Sequence, residues 1–268
     1  MSESSETAFA KLNLALHVRG RMADGRHRLE TLFAFCEDGD ALTVEPDEDL
    51  WCDVSGGDDV QVISGDNLVL RAAYALRVAS GSAKGAHIHL TKRLPIASGV
   101  GGGSADAAAA LRLLTGLWNI DPAHAGEVAP RIGADVPACL ISRTARGTGA
   151  GDDLVLVDIP ELNGRNVLLV NPRVRLGTAE VFERWDGVDR GPLGDWKAGR
   201  NDLEAPARAI VPQIGMVMSW LETQPGAEVV RMSGSGATCF ALFDDEAARD
   251  RAAAAVPREW WHLATRLR

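Results

Sequence analysis

The clearest alternation of apolar and polar positions in the chain runs from residue 8 to residue 18. Every second residue is apolar there, which is the period of an extended strand with one buried face. The opposite face carries Lys11, Asn13 and His17. A lysine and an asparagine in mid-strand face either solvent or a functional cavity. Taken alone, the pattern favours the solvated face.

Similar patterns predict the other main elements. Period-two stretches and short apolar runs predict strands over residues 29–35, 40–44, 86–91, 167–170 and 238–243. Spacings of three and four predict helices over residues 68–79, 105–118, 205–221 and 247–256. Asp66 is the expected N-cap of the first of these helices.

A glycine-rich stretch, residues 94–106, runs directly into one of these helices. Gly99, Gly101, Gly102 and Gly103 remove side chains from the backbone where the helix begins. Unpaired amides at a helix N-terminus, together with the helix dipole, favour an anion. We therefore interpret the stretch as a phosphate cradle, with a flexible connector as the alternative.

Two better-known phosphate motifs fit this stretch less well. A P-loop ends in Gly-Lys-Ser/Thr, but Gly103 is followed by Ser104 and Ala105. A dinucleotide fingerprint would need a third glycine at Ser104, directly after a fully buried strand. The preceding strand alternates instead, and Lys92, Arg93, Leu94 and Pro95 follow it. A Rossmann oxidoreductase is thus a minor alternative.

Two further features carry candidate chemistry. Asp135 stands in a run of small and apolar residues, where an acid is either a helix cap or a functional group, because unpaired burial is costly. Met232–Ala237 forms a second glycine turn between two predicted strands. That turn is either a tight β connection or a second backbone surface that faces a ligand.

Composition and charge narrow the class of protein. The 268 residues suffice for two modest cores, and a glycine-rich connection at 147–153 suggests domains 1–150 and 151–268. A net charge of −9 argues against nucleic-acid binding through bulk electrostatics. The acidic, polar start of the chain is unlike a signal peptide, and no stretch has the apolar run of a membrane span.

Cysteines and histidines suggest neither disulfides nor a metal site. The four cysteines are scattered, which favours a reducing cytoplasm. His87 and His89 could offer two ligands on one strand face, but no third ligand is evident nearby. A solvated polar face is therefore the favoured interpretation of these two histidines, and no metal site is predicted.

Taken together and in order, three stretches resemble the motifs of the GHMP small-molecule kinases: the Lys11/Asn13 strand, the Gly99–Ser104 loop and the Ser233–Gly236 turn. Further motifs extend the resemblance over nearly the whole chain, namely 10–14, 23–27, 66–68, 133–137, 171–172, 201–202 and 232–237. Their joint occurrence in order is highly specific. The resemblance implies an α+β GHMP kinase fold, with an N-terminal domain like ribosomal protein S5 domain 2 and a smaller α/β-sandwich C-terminal domain.

The resemblance also implies a reaction. The branch that fits best transfers the γ-phosphoryl group of ATP, with Mg²⁺, to the 2-hydroxyl of a cytidine-diphosphate polyol in isoprenoid biosynthesis. Asp135 is implied as the base that receives or orients the acceptor hydroxyl, and Lys11 as the cation beside it. A cytoplasmic monomer or weak homodimer that binds neither nucleic acid nor a membrane is expected.

The ligand-binding residues are implied in the same way. The ATP-binding set is Asn67, Leu68, Pro95, Ile96, Ala97, Ser98, Gly99, Val100, Gly101, Gly102, Gly103, Ser104 and Ala105. The substrate-binding set is Asn13, Arg26, His27, Thr178 and Phe182.

Some positions depart from the family pattern. Arg26 replaces a tyrosine that stacks on cytosine, which shifts more of that contact to Phe182, and Ala97 and Ser98 replace two loop glycines. Two alternatives stay open: a GHMP kinase for homoserine or a mevalonate derivative, and a nucleotide-binding protein without phosphotransfer.

Overall fold

The computed structural model describes residues 4–57 and 67–268. In that part of the chain the strands are β1 (Ser4–Arg21), β2 (His27–Glu45), β3 (Leu50–Gly56), β4 (Ala86–Lys92), β5 (Ala145–Thr148), β6 (Asp153–Leu156), β7 (Asn166–Asn171), β8 (Ala227–Met232), β9 (Cys239–Phe243) and β10 (Trp261–Arg266). The helices are α1 (Leu68–Ser80), α2 (Gly102–Trp118), α3 (Ala123–Ile132), α4 (Val136–Ile141), α5 (Thr178–Glu183), α6 (Glu204–Ile210), α7 (Gln213–Glu222) and α8 (Glu246–Ala254). A short 3₁₀ helix spans Pro160–Leu162.

The chain divides into two compact units, each assembled from separate stretches. Unit 1 comprises the described residues of Met1–Ala10, Asp38–Ile96 and Gly101–Ser142. Unit 2 comprises Lys11–Glu37, Ala97–Val100 and Arg143–Arg268. Strands β1 and β2 each contribute residues to both units. The boundary expected between residues 150 and 151 stays a prediction.

Unit 1 combines strands with the helices α1 to α4. β4 pairs with β3 in parallel and with residues 41–45 of β2 in antiparallel fashion. The alternation predicted for β4 is present, since Ile88 and Leu90 are fully buried while His87 and His89 are only partly buried. Helix α2 packs against α1 and α4, and its buried residues include the consecutive alanines 107–110.

Unit 2 contains a four-stranded antiparallel sheet in the order β10-β7-β9-β8. All six residues of β7 are buried, as the short apolar run at 167–170 predicts for a central strand. Residues 31–33 of β2 pair with β5, which in turn pairs with β6. Most strand pairs within the described residues are antiparallel, so the predicted α+β class is confirmed.

The structure corrects several details of the sequence prediction. Residues 29–35 and 40–44, expected as two strands, form the single strand β2. The helix expected over 205–221 is interrupted at Pro212 and forms α6 and α7, because proline lacks the amide that a continuous helix needs. The expected N-cap Asp66 lies outside the described residues, and Asn67 caps α1. Strands β3, β5, β6 and β10 were not predicted.

Candidate active site

Lys11 and Asn13 lie on the polar face of β1, and both are buried. Their exposed fractions are 2% and 3%, and His17 on the same face is 2% exposed. The solvated face favoured by the sequence pattern is therefore wrong. The Lys11 ammonium donates to Asn13 Oδ1 at 2.8 Å and stands 5.4 Å from the centre of the Phe33 ring. A buried ammonium needs such partners because it has lost its water.

A chain of hydrogen bonds orients the Asn13 amide. Its Nδ2 donates to Thr31 Oγ1 at 2.8 Å, and Thr31 Oγ1 donates to the Ala15 carbonyl at 2.7 Å. The Thr31 hydroxyl has given its hydrogen to Ala15, so it can only accept from Asn13. The amide oxygen of Asn13 is thereby directed at Lys11. Thr31 was missed by sequence reasoning, because its position opposite Asn13 depends on strand pairing.

The first part of the glycine loop, residues 97–100, contacts the second glycine turn within unit 2. Lys11 N donates to the Val100 carbonyl at 2.9 Å. Ser233 Oγ donates to the Gly99 carbonyl at 2.9 Å, and Thr238 N donates to the Ser98 carbonyl at 3.0 Å. The loop backbone is thus held from both sides. Gly99 has a φ of +80°, which suits glycine.

The second glycine turn, Met232–Ala237, is the tight connection between β8 and β9. Asn201 Nδ2 donates to the carbonyls of Met232 and Gly234, both at 2.8 Å. Asn13 N also donates to Ser233 Oγ at 3.2 Å. The turn therefore supports the loop and the Lys11 strand through named hydrogen bonds. Asn201 appears in the resemblance, but only the fold reveals that it clamps this turn.

The second part of the glycine loop begins helix α2 in unit 1. Gly101 is the N-cap with a φ of +67°, and Ala105 N donates to its carbonyl at 2.7 Å. The amides of Gly102, Gly103 and Ser104 precede that first helical bond, so they form the electropositive N-terminus of the helix. A Cβ on Gly103 would lie 3.2 Å from Leu68 Cδ1, so a larger residue there would have to displace the Leu68 side chain.

Asn67 and Leu68, expected on the adenine side, begin helix α1. Asn67 Oδ1 accepts from Val69 N at 2.9 Å, which makes Asn67 the N-cap. Its Nδ2 contacts Cys52 Sγ at 3.6 Å. The close approach of Leu68 to Gly103 brings two members of the predicted ATP-binding set together within unit 1.

Asp135 precedes helix α4 in unit 1 and is half-buried. Its side chain makes no capping hydrogen bond to the helix, although its carbonyl accepts from Cys139 N at 3.0 Å. Asp135 therefore occupies the N-cap position of α4, as one of the two interpretations of this acid expected, but without a side-chain bond to the helix. A functional carboxylate stays a prediction.

Residues of the predicted substrate set meet in an aromatic cluster in unit 2. The His27 ring stacks on Phe182 at 4.8 Å and meets Trp185 edge-on at 5.6 Å. Burial and the nearby Arg21 charge lower the pKa of His27, which keeps the ring neutral near pH 7. Trp185 was missed, although its spacing of three from Phe182 is compatible with one helical face.

Arg26 and Thr178 are both exposed, and each has polar partners. Arg26 Nε donates to Asp24 Oδ2 at 2.8 Å, and its Nη1 lies 3.5 Å from Asp152 Oδ2. Thr178 Oγ1 lies 2.9 Å from Ser235 Oγ, which links the start of α5 to the second glycine turn.

His87 and His89 are held by a carboxylate. Asp53 Oδ1 lies 2.6 Å from His87 Nε2, and Asp53 Oδ2 lies 2.7 Å from His89 Nδ1. Trp51 stacks on His87 with ring centres 3.5 Å apart. Among the described residues, no group of three or more His, Cys, Asp or Glu side chains is arranged to hold a metal ion.

Comparison with protein families matches two segments of the chain. Residues 67–143 match the GHMP kinases N terminal domain, and residues 189–263 match the GHMP kinases C terminal domain. A protein of Rhizorhabdus wittichii named 4-diphosphocytidyl-2-C-methyl-D-erythritol kinase is 50% identical, with 98% of this chain and 94% of the relative covered.

Solved structures agree with these matches. A crystal structure of 4-(cytidine 5'-diphospho)-2C-methyl-D-erythritol kinase superposes with a TM-score of 0.85 at 33% identity, covering 98% of this chain and 99% of that chain. A homoserine kinase from Cytophaga hutchinsonii reaches a TM-score of 0.69 at 17% identity over 100% of this chain and 97% of that chain, which is a likeness of fold. In the part of the chain that the structure describes, no helix is long and apolar enough to cross a membrane.

Proposed function

The chain belongs to the GHMP kinase family, within its group of 4-diphosphocytidyl-2-C-methyl-D-erythritol kinases, and from this membership we propose its reaction. It transfers the γ-phosphoryl group of ATP to the 2-hydroxyl of 4-diphosphocytidyl-2-C-methyl-D-erythritol, with ADP as the second product. The observation that carries this proposal is the 50% identity along 98% of the chain to a kinase of that name. A cytoplasmic monomer or weak homodimer belongs to the same proposal.

Asp135 and Lys11 are the proposed catalytic residues. Asp135 accepts the proton of the attacking hydroxyl, or orients that hydroxyl, as the new O–P bond forms and the bond to ADP breaks. Lys11 supplies positive charge where negative charge develops in the transition state. Its burial and its 2.8 Å bond to Asn13 support this role, since a pre-oriented ammonium loses little energy on reorganisation.

The proposed phosphate site is the N-terminus of α2. Gly102, Gly103 and Ser104 present amides without bulky side chains at the positive end of a helix of 17 residues. Gly99 and Val100 lie just before them in the chain, in a backbone that the second glycine turn holds. Mg²⁺ bound with the nucleotide would neutralise part of the phosphate charge. The bare amides at the start of the helix would stabilise the negative charge that remains.

The proposed cytidine site is the cluster of His27 and Phe182. A neutral imidazole can accept or donate one hydrogen bond to a base edge, and the Phe182 ring offers a stacking surface. Arg26 stands where the family has tyrosine, and its guanidinium can stack on a base or pair with a diphosphate. Thr178 completes this proposed set.

The test is ADP release with ATP and Mg²⁺ on four acceptors: the cytidine-diphosphate methylerythritol, homoserine, mevalonate and phosphomevalonate. Turnover confined to the cytidine substrate is the expected result. Turnover confined to another alcohol would show that the protein is a kinase with a different acceptor from the one proposed. ADP binding without turnover on any of the four would support a nucleotide-binding protein instead.

A further inference from the structure

Lys92, Asp40 and Asp106 form a buried cluster of three charged residues behind the start of α2. They come from β4, β2 and α2, and all three belong to unit 1. The Lys92 ammonium contacts Asp40 Oδ2 and donates to Asp106 Oδ2 at 2.7 Å. Lys92 is 6% exposed, Asp40 0% and Asp106 2%. The mechanism proposed above uses none of these three side chains.

The cluster lies directly behind the proposed phosphate site. A Cβ placed on Gly102 would be 3.4 Å from Lys92 Nζ and 3.7 Å from Asp40 Oδ2. Asp40 Oδ1 also accepts from Arg93 N at 2.5 Å and from Leu94 N at 2.8 Å. One carboxylate therefore fixes both the turn that leads into the glycine loop and the lysine beneath the first residue of α2.

The two carboxyl groups are not equivalent. Asp40 uses both of its oxygens, one with Lys92 and one with two backbone amides. Asp106 uses only Oδ2, and its buried Oδ1 has no hydrogen-bond partner among the described residues. A buried ionised oxygen without a partner is far more costly than a neutral carboxyl group. Charge balance agrees, because one carboxylate neutralises the one ammonium.

We propose that Lys92 and Asp40 form an ion pair that positions the N-terminus of α2 for nucleotide phosphates, and that Asp106 completes the cluster as a neutral acid. This inference rests on the proposed phosphate site. Lys92 and Asp40 are positioning residues, since they act through the backbone of Arg93, Leu94 and Gly102.

The electrostatics of the cluster point the same way. Burial raises the pKa of Asp106 to about 8, against the attraction of Lys92, and Asp40 adds to the rise. Burial disfavours the charged form of Lys92, but the attraction of Asp106 and Asp40 outweighs it and raises the lysine pKa. The titratable thiol of Cys52 on β3 also faces the cluster: burial raises its pKa to about 12, and the charge of Asp106 contributes to that rise. Cys52 is therefore neutral at the pH of the experiment.

The experiment compares Asp40→Asn with Asp106→Asn in ADP binding by titration calorimetry, without an acceptor. Asparagine copies the shape of a neutral acid, so Asp106→Asn should bind ADP within about threefold of the parent protein. Asp40→Asn removes the ionised partner of Lys92 and the charged acceptor of Arg93 N and Leu94 N, so it should weaken ADP binding at least about tenfold. In turnover, Asp40→Asn should raise KM for ATP more than KM for the acceptor.

Equal losses of ADP affinity in the two variants would overturn the proposal, since a symmetric salt-bridge cluster predicts them. ADP binding does not depend on the acceptor, so a protein that binds ADP but fails on the cytidine substrate would refute the proposed reaction and leave this inference standing. The exposed Asp158→Asn is the matched control and should bind ADP like the parent protein.

Thermal unfolding from pH 5 to 9 tests the neutral acid even where Asp40→Asn does not fold. The native state then holds a proton on Asp106 that the unfolded chain releases above about pH 4. Stability from this group therefore falls as pH rises towards 8, because the native state binds more protons. The difference in melting temperature, Asp106→Asn minus the parent protein, should therefore increase by several degrees from pH 5 to pH 8. A constant difference would overturn the assignment of the neutral acid.

Discussion

Replacing Gly99 by alanine tests how the second glycine turn supports the loop. Gly99 has a φ of +80°, and an added Cβ would meet the Ser233 carbonyl oxygen and lie 2.8 Å from the Gly236 carbonyl oxygen. Both neighbours are backbone atoms, so neither can move aside as a flexible side chain would. The loop or the turn must therefore shift.

The expected magnitude follows from two contributions. An alanine at positive φ costs about 1 kcal/mol in backbone strain. Displacing the loop also weakens the bonds from Ser233 Oγ to Gly99 O and from Thr238 N to Ser98 O, at about 1 kcal/mol each. The sum is about 3 kcal/mol, or roughly 6–12 °C in melting temperature at 2–4 °C per kcal/mol.

Two assays check this prediction, thermal unfolding and the KM for ATP in the ADP-release assay. We expect the lower melting temperature together with at least a tenfold rise in KM, which corresponds to about 1.4 kcal/mol. Gly116→Ala is the control, because Gly116 lies in α2 with nothing within 4 Å of an added Cβ. It should gain roughly 0.5–1 kcal/mol in stability. A Gly99→Ala protein that melts and binds ATP like the parent would refute the reasoning.

Three further predictions concern the site and the histidine pair. Asn13→Ala removes the acceptor that orients Lys11 at 2.8 Å, and we expect kcat to fall about tenfold to a hundredfold with ADP affinity unchanged; an unchanged kcat would contradict the role of Asn13. Asp135→Ala should lower kcat by at least about a hundredfold in the ADP-release assay while ADP binding stays intact, and retention of most of the rate would remove Asp135 from the mechanism. Burial disfavours the charged form of His87, but the hydrogen bonds that its ring donates to Asp53 and Glu45 outweigh this and raise its pKa. Burial would raise the pKa of Asp53, but the hydrogen bonds from His87 and His89 outweigh it and lower that pKa. The stability from a His87 pKa raised in the folded state is present below about pH 6.5 and lost as pH rises through the folded value. His87→Gln should therefore lower the melting temperature more at pH 5.5 than at pH 8.5, and an equal effect at both pH values would argue against the ion pair.

Local patterns predicted much of the fold. Period-two alternation located β1 and β4, a short apolar run located β7, and helical spacing located α1, α2 and α8. These patterns depend on the geometry of one element, so they are readable without knowledge of its neighbours. Strand β10 escaped prediction because its burial pattern is irregular and it owes its extended form to pairing with β7.

In the candidate site, too, local motifs were predictable from the sequence and contacts between distant residues were not. The glycine loop and its helix are local features, and their order along the chain with the Lys11 strand and the second turn carried the resemblance to the family. The partners of these motifs are not local. Thr31 is 18 residues from Asn13, and Ser233 is 220 residues from it. The spacing of residues along the chain does not predict such contacts.

The order of residues alone thus determined most of the longer helices and strands, their apolar faces and the motifs that identify a GHMP kinase, because these depend on residues within single elements. It did not determine what covers a polar face. Lys11 became a buried, oriented ammonium only because β2 and the Ser233 turn pack around β1, and Lys92 became a buried cation only because three elements bring it to Asp40 and Asp106. Burial and charge pairing belong to the packed molecule, since water leaves a side chain only when distant parts of the chain cover it.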